Sequence, residues 1–113
     1  MTIIEKTILV ENEAGSVHNR ELKFDDLFDL KKIQAIQDAF SDATGVASAI
    51  TDPNGNPITT PSNFCDLCNA IRSTKKGAFN CQHSDAVIGE MDPSGPKIRR
   101  CLSGGLFDGG TSI

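Results

Sequence analysis

The chain has no Trp, no Tyr and only six Phe among its 113 residues. Without large rings, its core has to be filled by Ile, Leu, Val and Ala, and it is modest in volume. Positive charge is also short: eleven Lys and Arg against fifteen Asp and Glu leave a net charge of −4. That balance argues against direct binding to nucleic acid. The small basic groups, Lys75-Lys76 and Lys97 with Arg99 and Arg100, read as a solvated loop and a solvated strand face. No apolar run approaches the ~20 residues of a membrane-spanning helix. The stretch Met1 to Lys6 carries charge where a signal peptide needs its apolar segment, so the chain reads as cytoplasmic with no membrane partner. Internal repeats and low-complexity tracts are absent as well.

What remains is enough for one folded domain. Residues 1–23 read as an N-terminal extension or an edge strand. Thr7 to Val10 is a β-branched run, Glu11 to Ser16 is turn-like, and His18-Asn19-Arg20 reads as a second turn with His18 an exposed loop residue. Beyond them the patterns sharpen. Asp29 caps a helix whose apolar face is Leu30, Ile33, Ile36, Phe40 and Ala43, with Gly45 as its stop. Val46 to Thr51 reads as a strand, Asp52-Pro53-Asn54-Gly55 as a turn, and Asn56 to Thr60 as a returning strand weakened by Pro57. Ser62 is positioned to cap a helix carrying Phe64, Leu67, Cys68 and Ile71. Ser73 to Gly77 then breaks the pattern, and a further helix is expected from about Ala78 to Met91. Asp92-Pro93-Ser94-Gly95-Pro96 ends it, and Lys97 to Leu102 follows as a strand. Few strands are visible before Ile113, so the sheet is expected to lack its last strands here. It would be completed by further chain or by a homo-oligomer.

Four thiols carry most of the chemical information. Cys65, Cys68, Cys81 and Cys101 have the spacing C-x2-C-x12-C-x19-C. A reducing compartment disfavours stable disulfides, and four soft sulfurs on separate elements suit zinc or an iron–sulfur cluster. The second C-x-x-C of a zinc ribbon is missing, and Cys68 would also fit the apolar stripe of its helix. Reduced core thiols, redox-active thiols and disulfides therefore stay open beside the metal reading. His83, two residues after Cys81, raises a further alternative, a thiol-dependent enzyme using Cys81 or Cys65. Two positions in one helix face differently, which disfavours that pairing. Arg72 is suited to a ligand carboxylate and Asp85 to a ligand hydroxyl, with a surface ion pair as the simpler use of either. Gly104-Gly105 and Gly109-Gly110 lack the Lys-Ser/Thr of a phosphate loop, and the Asp52 turn lacks the final Glu of a calcium loop.

Several blocks, in order, resemble the PocR sensory domain. They are Phe28-Asp29-Leu30, Ile36 to Phe40, Ile50 to Ile58, Phe64-Cys65 to Ile71-Arg72-Ser73, Cys81 with Ser84-Asp85, and Cys101 with Gly105-Leu106 and Asp108. The resemblance implies a sensory domain over 24–113 of α+β class, a PAS-like antiparallel sheet with helices packed on one face. It also implies a role in bacterial or archaeal signalling proteins beside an output domain, sensing simple hydrocarbon derivatives such as small diols. On that basis Phe64, Arg72, Asp85 and Leu106 are the expected ligand-binding residues, and the chain is expected not to be an enzyme. Metal binding by the four cysteines remains an inference from their spacing.

Overall fold

The structure is a computed structural model, and it describes residues 6–11 and 17–113. Two strands, β1 (Lys6–Glu11) and β2 (Val17–Leu22), pair antiparallel in a hairpin register that sets Val10 opposite His18. The expected turn at His18 to Arg20 is thus strand, and the expected turn at 12–16 lies outside the described residues. A short helix α1 (Phe24–Leu27) follows, where Asp26 accepts the Lys23 N–H at 2.9 Å. Phe24 stacks on Phe28 with ring centroids 4.7 Å apart. Phe24 and Ile50, packed with Ile33 and Ile58, form the buried apolar nucleus.

Helix α2 (Leu30–Thr44) has the ends its sequence specifies. Asp29 accepts the N–H groups of Lys31 and Lys32, and Gly45 closes the helix at φ 73°. Its buried side chains, however, are Gln37 and Ser41, while Ile36 and Phe40 stay 65% and 50% exposed. The reason is polar. Gln37 Nε2 donates to Ser48 O, Thr60 O and Ser62 Oγ at 2.7–3.1 Å, and its Oε1 accepts the Thr59 hydroxyl at 2.5 Å. Ser41 Oγ and Ser48 Oγ lie 2.6 Å apart. These bonds turn the polar stripe of α2 onto residues 48–62 and leave its apolar stripe facing an open cavity.

Residues 46–62 return on themselves but form only two isolated bridges, Ser48 with Ser62 and Thr51 with Pro57. Side chains take the place of ladder bonds: Thr59 Oγ1 accepts the Ile50 N–H, and Asp52 accepts from Asn54 and Asn56. The Asp52 turn itself forms, with Gly55 at φ 84° donating its N–H to Asp52 O. Ser62 does not cap a helix. It donates to Asp38 at 2.6 Å and accepts from Gln37, while Asn63 takes a left-handed φ of 56° and anchors itself on Gly45 O.

Helix α3 (Asp66–Arg72) starts from Cys65. The break before the next helix is shorter than expected, because Thr74 is itself a cap and accepts the Gly77 N–H at 3.0 Å. Helix α4 accordingly runs over Lys75–Ile88 instead of 78–91. Two further strands, β3 (Lys97–Arg100) and β4 (Phe107–Gly110), pair antiparallel. β3 ends before Cys101, whose N–H and C=O close the intervening loop on Leu106 O and the Gly105 N–H. The architecture is α+β, with two two-stranded antiparallel ladders among the described residues. Among the described residues no helix is long and apolar enough to cross a membrane.

Candidate functional site

A cavity of about 980 Å³ opens between the apolar stripe of α2, the 45–51 segment, α3, α4 and the β3–β4 ladder. Its walls are mostly apolar, with Ile36, Phe40, Ile88 and Ile98 among them. All eight residues singled out in the sequence line it: Phe64, Cys65, Cys68, Arg72, Cys81, Asp85, Cys101 and Leu106.

The polar wall is built where α3 meets α4. Arg72 at the end of α3 reaches Asp85 on α4, Nη2 to Oδ2 at 2.7 Å, and both side chains are more than four-fifths buried. The guanidinium also lies 4.8 Å from the Phe64 ring centroid, a cation–π contact. One donor is left over: Arg72 Nε is buried and has no hydrogen-bond partner. An unmatched buried N–H costs about 1–3 kcal/mol, so this atom is where an added acceptor would be worth most. Asp108 on β4 completes the wall. Burial raises its carboxyl above the usual range, and the nearby Asp85 charge adds to the effect. Asp108 carried only a family-block resemblance in the sequence; its burial depends on β4 pairing and could not be read from spacing.

The thiols occupy the same cavity with different surroundings. Cys65 is exposed, and the polar groups of the first turn of α3, the Cys68 N–H foremost and then the Cys68 thiol, hold its pKa below the ordinary thiol value. Cys68 is half-buried. Burial first, then the neighbouring Cys65 thiol and the charges of Cys65, Cys101 and Cys81, push it up to about 11. Cys101 is raised by burial, but the Ser84 hydroxyl and the N–H groups of Ser103, Gly104 and Gly105 outweigh this and lower it overall. Cys81 is buried and donates to Ser103 Oγ at 3.5 Å, whereas His83 is exposed. Of the serines that hold these sulfurs, Ser84 was marked only by its place in a family block beside Cys81 and Asp85, and Ser103 had no periodicity or motif to mark it.

Convergence on one cavity does not amount to a metal centre. A tetrahedral zinc site with Zn–S bonds of about 2.3 Å needs sulfurs roughly 3.8 Å apart. Among the described residues, no three His, Cys, Asp or Glu side chains are arranged to hold a metal ion. The expected zinc or iron–sulfur centre on Cys65, Cys68, Cys81 and Cys101 therefore finds no support in their placement. The Cys81 sulfur instead donates to Ser103 Oγ, and the Cys101 sulfur accepts from the Ser84 hydroxyl and the Ser103 N–H.

A family model, the sensory domain found in PocR, matches residues 26–113. The chain belongs to the PocR sensory-domain family. Its fold is therefore the PAS-like α+β type that the sequence blocks implied, and the PocR domain spans α2 to β4 with the whole cavity wall described above. No curated protein and no solved structure matches the chain.

Proposed function

We propose that this PocR domain is the input module of a signalling or transcription-regulatory protein. It binds a small organic molecule with an apolar body and an oxygen acceptor, and it passes the bound state to an associated output domain. One observation carries the reading: Arg72, on the wall of an otherwise apolar cavity, keeps a buried donor, Nε, that has no partner. Ligand sites of this kind pair an apolar lining with a few placed polar groups. Asp85 orients the guanidinium through Nη2, and Phe64 covers its face, so Nε has a fixed direction. A hydroxyl, carbonyl or carboxylate oxygen would satisfy it. Asp85 and Asp108 add acceptors for a second hydroxyl, which suits a diol better than a simple alcohol.

The cavity, at about 980 Å³, is far larger than a three- or four-carbon diol. The polar end near Arg72 is thus the binding subsite, and the apolar remainder selects chain length. Binding shifts the population of two packings of the cavity walls, and the output domain reads that shift.

The test is calorimetric titration of the chain with straight-chain diols of increasing length and with the matching monocarboxylates. Saturable binding is expected to strengthen with each added methylene by up to about 0.8 kcal/mol. Arg72→Met, which keeps the stem and removes the donors, should weaken it by about 10-fold or more, the loss of one charged hydrogen bond. Binding that is unchanged in Arg72→Met removes the basis of the proposal. So does the absence of saturable binding across the series.

A further inference from the structure

Cys101 lines the cavity, and its sulfur is the end point of a short polar network. Ser84, on α4, is fully buried. Its hydroxyl oxygen accepts the Leu102 N–H at 3.0 Å, and its proton goes to Cys101 Sγ at 3.5 Å. The Ser103 N–H donates to the same sulfur at 3.4 Å. Cys81 is placed differently: it is buried, and its own proton goes to Ser103 Oγ. Hydrogen bonds to a charged form favour that form, so the two donors on Cys101 Sγ favour its thiolate, the nucleophilic state. Cys101 is only half-buried, and its sulfur can be reached from the cavity. A second observation in the same cavity calls for oxygen, because Arg72 keeps the buried donor Nε without a partner. A soft nucleophile and an unmatched donor around one apolar space suit a molecule that is electrophilic at carbon and carries an oxygen acceptor. An aldehyde combines the two in one small group.

We propose that the cavity takes small aliphatic aldehydes, which Cys101 captures reversibly as a hemithioacetal. The inference rests on the reading of the cavity as a small-molecule site and names a class of molecule for it. The thiolate sulfur adds to the carbonyl carbon. A C–S bond forms, the carbonyl π bond breaks, and its electron pair goes to oxygen. That oxygen takes a proton from water, replacing the one that the thiol gave up. One thiol and one aldehyde give one hemithioacetal, with no change of oxidation state, and the reverse step releases the aldehyde intact.

Simple thiols and aldehydes form such adducts weakly. Holding the aldehyde in the cavity makes the addition intramolecular, which lets the adduct accumulate. Its formation also has a structural consequence. The sulfur loses its charge and gains a substituent, so the Ser84 hydroxyl and the Ser103 N–H lose their anionic acceptor. Ser84 belongs to α4, while Cys101 and Ser103 lie in the loop that joins β3 to β4. Capture of the aldehyde therefore alters the contact between α4 and the β3–β4 ladder.

The experiment titrates the full chain, reduced and handled without oxygen, with butyraldehyde isotopically labelled at its carbonyl carbon, followed by carbon NMR. A protein-bound resonance of a carbon bearing one oxygen and one sulfur should grow saturably and vanish on dilution. Brief iodoacetamide treatment with peptide mass mapping locates the adduct. At about nine times its apparent Kd, butyraldehyde should slow alkylation of Cys101 roughly 10-fold, because only the free thiol reacts. Cys101→Ala should lose the resonance, and the protection map of the wild-type chain decides the site even if that variant folds poorly. The proposal is overturned if the wild-type chain binds straight-chain diols but forms no aldehyde adduct, a result that leaves the cavity reading standing. It is equally overturned if protection falls on Cys65, Cys68 or Cys81 instead, or if the resonance persists in Cys101→Ala. If neither diols nor the aldehyde bind, both readings fall together.

Discussion

Gly77→Ala separates helix propensity from packing, because the two give opposite signs. Gly77 lies in the first turn of α4, where alanine would ordinarily stabilise by about 1 kcal/mol. A Cβ at this position, however, would sit 1.8 Å from Ile71 O, 2.7 Å from Ile71 C and 2.8 Å from Thr74 Oγ1. The obstacle is backbone. Ile71 O already accepts the Thr74 N–H at 3.4 Å and the Thr74 hydroxyl at 3.3 Å, bonds that join α3 to α4. Making room means moving that carbonyl by more than about 1 Å and stretching both bonds. Overpacking costs about 1–3 kcal/mol, and a rigid obstacle places this case at the upper end. Against the gain in propensity, the net is a destabilisation of about 2 kcal/mol. Urea unfolding followed by far-ultraviolet circular dichroism reads it directly. With m between about 1 and 3 kcal/mol/M, the midpoint should fall by roughly 1 M. Gly109→Ala is the control: its Cβ meets nothing nearer than 3.8 Å, and it should change stability by less than about 0.5 kcal/mol. If Gly77→Ala unfolds at the wild-type midpoint or above it, the close approach of α3 to α4 argued here is wrong.

Gln37→Leu removes the polar hub between α2 and residues 48–62. Ser48 O keeps the Ser62 N–H and Thr60 O keeps Gln34, so the cost is set by the Thr59 hydroxyl and the lost Ser62 contact. About 2 kcal/mol is expected, read as a Tm lower by roughly 8–12 °C in a thermal melt. Asp108 supplies a pH test. Its folded-state pKa lies above the unfolded value, so the folded chain holds the proton more tightly. Its contribution to stability therefore falls as pH rises from the ordinary carboxylate range through the raised value. Asp108→Asn should be more stable than wild type at neutral pH and should lose that fall. Asp38 and Asp92 have the opposite sign. Ser62 and Ser94 lower their pKa values, so their stabilisation is present above the ordinary range and is lost on acidification. Unfolding midpoints of wild type and Asp108→Asn between pH 3 and 7 check the sign, and curves that stay parallel over the whole range refute it.

How much could be read in advance depended on whether the deciding contact was local. Asp29 and Gly45 bound α2 because each acts on its own helix end, and the Asp52 turn formed for the same reason. Ser62 looked like a cap, yet its hydroxyl is taken by Asp38, 24 residues away in sequence. Thr74 was read as part of a break, although one hydroxyl is enough to start α4 there. The apolar stripe of α2 had the right period and the wrong expected partner. Gln37, a single polar residue, outbid it for the 48–62 segment, and nothing in periodicity ranks one glutamine above five apolar side chains. At the site, residue type carried far. The four thiols and Arg72, Asp85, Phe64 and Leu106 all reach one cavity. Spacing could not show that Ser103 and Ser84 engage the Cys81 and Cys101 sulfurs, because those contacts span 17 to 22 residues.

The shared mount of these groups explains how a ligand at one wall of the cavity would act on the rest of the fold. Cys81, Ser84, Asp85 and Ile88 all project from α4, and α4 is held by backbone-close approaches along its length. Gly77 meets Ile71 O near its start, the turn at Gly55 meets Gln82 O in its middle, and Gly110 of β4 meets Ile88 O at its end. At each of these points any side chain would meet backbone, so α4 cannot slide without moving α3, the Asp52 turn and β4 together. A ligand pulling on Arg72 pulls on Asp85, and through it on this whole assembly.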